Sequence, residues 1–242
     1  MNTPVQAGRF GSGQTVRRIE DPALVAGRGQ FTDDVSLPGQ THMVFVRSPY
    51  PHARIVSVDV AAALATPGVL AAFSGADLVR DGVKSISVPL PFPRPDGKPG
   101  ATAARRVLAH EVVRYVGEAV VAVVADSRAA AVNGAEAVMV EYEELPCVVD
   151  AIRAMSAGAP ALCPEASDNI AAEMRHGDAA AVAQAFARAA HRVSVDLVNQ
   201  RLAPSPMEPR AVIAEPEADS GRIVVRLSSQ MPTAVREGIT GA

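Results

Sequence analysis

Histidines, cysteines and one acidic run are the groups in this 242-residue sequence whose types could do chemistry. The histidines are His42, His52, His110, His176 and His191. No two of them have HxH or HxxxH spacing, which is what would bring two imidazoles onto one face for a shared metal. Cys147 and Cys163 have no CxxC spacing and no third or fourth partner. That excludes a Cys-ligated zinc or iron–sulfur site made by this chain alone. Two cysteines in a chain this long suit a reducing compartment and read as inert thiols. Glu141, Glu143 and Glu144 could pair for acid–base work, but they flank an exit strand ahead of Pro146 and read as a solvated face. The serines lack a GxSxG elbow. Gly8-x-x-Gly11-x-Gly13 has no strand before it and no Lys after it. Gly27-Arg28-Gly29 lacks a third glycine and a following apolar helix, so neither run is a phosphate loop. Spacing alone assembles no complete active site.

Composition sets the scaffold. The chain is 48% hydrophobic and 20% charged, with a net charge of −3. These values fit a soluble globular protein and argue against nucleic acid or an anionic membrane as its main partner. At about 150 residues per domain the length allows one or two domains. Tyr 3, Phe 6 and Trp 0 leave little for a pocket built on aromatic stacking. No apolar run reaches the roughly 18 residues of a membrane span. Arg17-Arg18 is followed by Ile19-Glu20-Asp21-Pro22 rather than an apolar stretch, which rejects a twin-arginine export signal. A cytoplasmic location is expected.

The elements follow from periodicity and breakers. Residues 1–15 are Gly-rich and polar and read as an extended arm. His42–Arg47, Arg54–Val58 and Val69–Phe73 read as strands, with a short helix at Ala61–Leu64 and a turn at Ser74-Gly75. Residues 80–104, with Pro89, Pro91, Pro93, Pro95 and Pro99, read as a long functional or mobile loop. Ala119–Ala125 is a continuous apolar run, hence a strand buried on both faces. Asp126 is expected to cap a helix to about Ala137, and Asp178 an Ala-rich helix to Ala190. His191–Gln200 alternates Val193, Val195 and Leu197 on one face, as a half-buried strand would. Met207–Glu215 and Arg222–Ser229 read as a hairpin. Thr233–Ala242 opens a helix with Val235 and Ile239 at i, i+4. Pro, Ala and Gly thicken over 149–167, which places a domain boundary there.

An ordered set of segments resembles the molybdenum-binding large subunit of the xanthine dehydrogenase/aldehyde oxidase family, in its carbon-monoxide-dehydrogenase-like branch. The set opens with Val16-Arg17-Arg18-Ile19-Glu20-Asp21-Pro22 and Gly27-Arg28-Gly29-Gln30-Phe31-Thr32-Asp33-Asp34. It continues through Leu37-Pro38-Gly39, Phe45-Val46-Arg47-Ser48-Pro49-Tyr50-Pro51-His52-Ala53-Arg54-Ile55 and Pro67-Gly68-Val69. Val113-Arg114-Tyr115-Val116-Gly117-Glu118 and Val140-Glu141-Tyr142-Glu143-Glu144-Leu145-Pro146 follow. Asn199-Gln200-Arg201-Leu202 and Met207-Glu208-Pro209-Arg210 complete it. No single piece is decisive; the order is.

The resemblance implies an α+β fold: an α/β-hammerhead domain over 16–148, a linker over 149–176, and the beginning of a molybdopterin-binding domain over 177–242. It implies a molybdenum–molybdopterin cofactor, in the cytosine dinucleotide form, held jointly with further chain. It also implies [2Fe-2S] and FAD on partner subunits, and water-derived hydroxylation of an aldehyde, N-heterocycle or CO-type substrate. The family's GGGFGG-type segment, later pterin-binding segments, general-base Glu and cysteine-bearing loop would lie beyond Ala242. Ser228-Ser229-Gln230-Met231-Pro232 matches the family segment whose Gln hydrogen-bonds an oxo ligand of molybdenum, which makes Gln230 the candidate catalytic and cofactor-binding residue. No residue is expected as a direct metal ligand. Glu208 and Arg210 read as a structural ion pair or a hydrogen-bonded turn. The implied partners are the remaining molybdopterin-binding chain, an iron–sulfur subunit and an FAD subunit. The alternatives are a non-catalytic assembly or docking module built on an autonomous hammerhead domain, and a small-molecule binder using loop 80–104.

Overall fold

A computed structural model describes residues 18–86, 89–200, 202–206 and 208–242. The arm over 1–15, with its glycine run, lies outside them, as do Val16, Arg17, Arg201 and Met207 of the resemblance set. The chain divides into two compact units. One comprises residues up to Pro38 together with Gln200–Gln230, and the other Gly39–Asn199 with Met231–Ala242.

In the first unit, α1 (Asp21–Val25) begins with Pro22 in its first turn, where a missing N–H costs nothing. A 3-10 turn at Thr32–Asp34 follows, with the Phe31 N–H donating to Asp34 Oδ2 at 3.0 Å.

The second unit opens with β1 (His42–Arg47), β2 (Ala53–Asp59), α2 (Ala61–Leu64), β3 (Val69–Ser74) and α3 (Gly75–Arg80). The expected turn at Ser74-Gly75 is instead the start of α3. Ser74 accepts from the Asp77 N–H while Asp77 accepts from the Ser74 N–H, a reciprocal cap that satisfies two donors. Gly75 is required there, because a Cβ would stand 2.0 Å from the Ala109 carbonyl oxygen.

Two three-stranded sheets result. β5 (Ala119–Ala125) is the middle strand of one, antiparallel to β1 on one side and β3 on the other. β2 is the middle strand of the other, between β4 (Val112–Val113) and β6 (Met139–Glu144). Val120, Val121, Val123 and Ala125 of β5 are fully buried, as a continuous apolar run requires. The three valines join Ala53 and Val113 in a core to which both sheets contribute, with Val46, Ile55, Val58 and Val140 around it, while Ala125 packs with Ala130 and Ala131 of the following helix. Each fully buried valine contributes about 1.5–3 kcal/mol by leaving water.

α4 (Arg128–Glu136) packs on the β1–β5–β3 sheet. Its cap is Ser127, whose hydroxyl accepts from the Ala130 N–H, and not Asp126. Gly134 lets the helix approach closely, since a Cβ there would meet Val69 Cγ2 at 2.6 Å.

The Pro-rich loop is tied down rather than loose along its second half. Arg94, with a side chain only 10% exposed, donates to the Ile170 carbonyl at 2.6 Å and to Asp168 at 2.8 Å. Backbone bonds run from Glu173 N–H to Pro93 O and from Ala101 N–H to Ala171 O, both 2.8 Å. The receiving segment is itself organised by Asn169. That residue stands at φ 60 and bonds Leu162, Ala154 and Pro160 through its side-chain amide.

After α5 (Ala151–Ala154), α6 (Ala179–Arg188) starts at the expected cap, Asp178, which accepts from the Ala181 N–H at 2.9 Å. The expected strand at His191–Gln200 is not formed. The run is exposed throughout and has no ladder partner among the described residues. A strand needs a neighbour to exchange hydrogen bonds with, and the alternation in sequence supplies only the faces.

The first unit resumes with the hairpin of β7 (Val212–Glu217) and β8 (Arg222–Leu227). The second ends with α7 (Pro232–Gly241).

Candidate functional site

The titratable groups that could have made a site are dispersed. Among the described residues no group of three His, Cys, Asp or Glu could hold a metal ion. His52 Nδ1 lies 2.7 Å from the Pro146 carbonyl, and His110 Nε2 lies 3.7 Å from Glu111. Both cysteines are free. Cys147 is exposed; burial pushes the Cys163 thiol above its ordinary value, against the opposing pull of Arg114, which leaves it less reactive. The acidic run lies on β6, where Glu143 pairs with Arg54 across the ladder at 3.2 Å and Glu141 accepts from Ser57 at 2.9 Å. These are exposed cross-strand contacts, worth little energy individually.

Three of the resemblance segments meet as a structural corner of the second unit. Arg47 donates to the Gly117 carbonyl at 2.8 Å, and the Ser48 N–H donates to Glu118 O at 2.8 Å. The Arg114 N–H donates to the Glu118 carboxylate at 2.6 Å. His52 O accepts from the Leu145 N–H at 3.0 Å. The Tyr50 and Tyr142 rings meet at a 53° tilt with 5.1 Å between centroids. Burial raises the Tyr142 phenol above its ordinary value, against the opposing pull of the nearby Ser48 hydroxyl. These residues hold strand ends together.

The hairpin of the first unit carries the remaining candidates. Its turn is fixed by Glu217, which accepts from Arg222 at 2.7 and 2.9 Å and from Ser220 at 2.5 Å. Ser220 and Arg222 hold that carboxyl below its usual range. The strands pair in register from Val212–Leu227 to Glu217–Arg222, and the 3-10 turn at Thr32–Asp34 lies against β7. Beyond β8 the Ser228 hydroxyl donates to the Glu208 carboxylate. Glu208 is thus tied to the end of β8 twenty positions on, and Arg210 makes no ion pair among the described residues. Gln230 follows in a bend and is exposed. Its segment is therefore anchored at Ser228 while its amide is open. A carboxamide in that position can donate a hydrogen bond through its NH2 to an oxygen outside the chain. Spacing offered no signal for the Arg94 and Asn169 nodes, because their partners are carbonyls that sequence does not mark.

A model of the aldehyde oxidase and xanthine dehydrogenase a/b hammerhead domain matches residues 26–146, and one of the molybdopterin cofactor-binding domain matches 162–242. The chain is 36% identical over 237 residues to the nicotine 6-hydroxylase large subunit of Paenarthrobacter nicotinovorans, covering 93% of this chain and 26% of that protein. It is 35% identical over 229 residues to the carbon monoxide dehydrogenase large chain of Hydrogenophaga pseudoflava, covering 90% and 27%. The crystal structure of quinoline 2-oxidoreductase from Pseudomonas putida 86 superposes with a TM-score of 0.76 at 34% identity, over 95% of this chain and 28% of that one. The chain thus spans about a quarter of the length of the curated relatives it matches. The order of segments, the hammerhead match over half the sequence and the fold agree: the chain belongs to the aldehyde oxidase and xanthine dehydrogenase family of molybdenum hydroxylases.

Proposed function

We propose that this chain forms the N-terminal portion of the molybdopterin-carrying part of a molybdenum hydroxylase. In this reading a hammerhead domain over 16–148 is joined by 149–176 to the start of the cofactor-binding domain over 177–242. The observation that carries it is the pair of consecutive matches, the hammerhead domain over 26–146 and the molybdopterin cofactor-binding domain over 162–242, the second of which includes the exposed Gln230. When bound, the cofactor would supply the two-electron oxidation that introduces water-derived oxygen into an aldehyde, N-heterocycle or CO-type substrate. The residues of this chain would do something narrower. Glu208 holds Ser228, Ser228 fixes the strand end, and Gln230 donates a hydrogen bond at the metal end of the cofactor. Electrons would leave through [2Fe-2S] and FAD on partner subunits, with the pterin in its cytosine dinucleotide form and the assembly in the cytoplasm.

Gln230→Ala in the assembled enzyme tests the assignment. Loss of an outer-shell donor should cost roughly 10–100-fold in turnover while molybdenum content is retained. Unchanged turnover at full molybdenum content would remove Gln230 from the site. The docking-module alternative draws on one feature, the self-contained core around β5. It predicts that the chain unfolds cooperatively by itself and associates with partners without any molybdenum.

A further inference from the structure

Residues 82–110 are a basic stretch in a chain of net charge −3. They contain Lys84, Arg94, Lys98, Arg105 and Arg106 and a single acid, Asp96. Asp96 is already engaged, by Lys98 at 3.1 Å and Arg94 at 3.7 Å, and Arg94 also reaches Asp168 at 2.8 Å. The acids of α3 and its end are engaged too, since Arg80 holds Asp77 at 2.9 Å and Asp81 at 3.4 Å. Lys84, Arg105 and Arg106 are left, exposed and without an ion pair among the described residues.

The backbone brings these three together. Ile86 and Arg105 are antiparallel bridge partners, with the Ile86 N–H donating to the Arg105 carbonyl at 2.8 Å. Lys84 and Arg106 line one groove with Leu78, Val79, Val83 and Val107, of which Val79 and Val107 are exposed. The Lys84 N–H donates to the Ala242 carbonyl at 2.7 Å, so its backbone is fixed while its ammonium has no carboxylate. Two guanidinium forks and an ammonium beside an aliphatic groove suit carboxylates that flank an aliphatic side chain. Nucleic acid fits less well. No aromatic ring lines the groove for base stacking, and the net charge of the chain repels phosphate.

We propose that Lys84, Arg105 and Arg106 dock an acidic segment of a partner polypeptide, one that carries at least two carboxylates around an aliphatic residue. The carboxylates take the guanidinium and ammonium donors, and the aliphatic side chain covers Val79 and Val107.

Lys84 and Lys98 are the two lysines of the chain, so zero-length carbodiimide coupling of amine to carboxylate reads the contact in the natively isolated complex. Lys98 should join Asp96 of its own chain. Lys84 should join an Asp or Glu of another polypeptide, and the linked peptide, identified by mass spectrometry, should carry a second acid beside a Val, Leu or Ile. Raising the salt from about 0.15 to about 1 M shortens the screening length from about 8 to about 3 Å and should lower the Lys84 product more than the Lys98 product. Arg105→Gln with Arg106→Gln should lower recovery of the linked partner roughly 10-fold. The urea midpoint of the chain should not move in that variant, because both side chains are on the surface. Lys84 products confined to peptides of this chain, or full recovery of the partner by the double glutamine variant, overturn the proposal. Shielding of Lys84 that nuclease removes overturns it in favour of nucleic acid. A molybdenum-containing complex in which Lys84 stays unlinked overturns the docking and leaves the functional reading standing. A Lys84 link to such an acidic segment in a complex without molybdenum supports the docking and contradicts the functional reading.

Discussion

Residues 39–146 and residues 178–242 draw on the same few apolar side chains and treat them in opposite ways. In the first stretch Val113, Val120, Val121 and Val123 lose all contact with solvent. In the second no described residue is buried, and Val193, Val195, Leu197 and Val198 stand largely in water. The contrast is one of topology, since both stretches are rich in valine and alanine. β5 has a neighbour on each side and a helix above; the run 191–200 has neither among the described residues. A chain with no tryptophan can still close a core when small β-branched residues are stacked by two sheets, and it cannot when the second layer is missing.

Matched substitutions sharpen the contrast. Val123→Asp places an unpaired carboxylate in the centre of β5. It should cost about 4 kcal/mol or more, enough to abolish cooperative unfolding of the isolated chain in urea. Val195→Asp makes the same chemical change in the open run and should move the midpoint by no more than about 0.5 kcal/mol. A large loss from Val195→Asp in the isolated chain would break the comparison.

Gly75→Ala should follow in size, at about 3 kcal/mol, because the new Cβ meets the Ala109 carbonyl rather than a side chain that can move. Arg94→Ala should cost about 2 kcal/mol by leaving the Ile170 carbonyl without its charged donor. Its diagnostic is local: amides of 93–101 and 162–173 should exchange faster while those of β5 do not. Arg94→Lys should recover only part of this, since one ammonium cannot serve carbonyl and carboxylate in a fixed fork.

The smallest expected effect concerns the α3 cap. Ser74, and after it Arg80, hold the Asp77 carboxyl below its ordinary value. Its contribution is therefore complete above the unfolded carboxylate range near pH 4 and is lost as pH falls through the lower native pKa. Ser74→Ala should cost about 1 kcal/mol at neutral pH and move the Asp77 titration upward, as read by carboxyl NMR. An unmoved titration would mean that the hydroxyl does not hold the charge.

The sequence marks the elements whose cause is local. Ala119–Ala125 is legible because seven apolar residues in a row need burial on both faces, and Asp178 because a carboxylate before an Ala-rich run caps it. Ser74-x-x-Asp77 carried the signal for α3, but the glycine after Ser74 reads first as a turn. At the start of α4 two adjacent cap residues compete, and backbone geometry chose Ser127 over Asp126. The strand at 191–200 is legible as a face pattern and unformed for want of a neighbour. The Pro-rich loop hides its anchor, because Arg94 and Asp168 are 74 positions apart and nothing local links them. Gln230 is invisible to spacing altogether and enters only through the ordered segments around it.

The central claim is that this chain works as part of a molybdenum hydroxylase. Metal analysis across the native size-exclusion profile, with this chain followed by immunodetection, tests it most directly. The account predicts that molybdenum peaks with this chain in a complex much larger than 25.1 kDa, in constant ratio across the peak. A homogeneous native pool of this chain without molybdenum would contradict it.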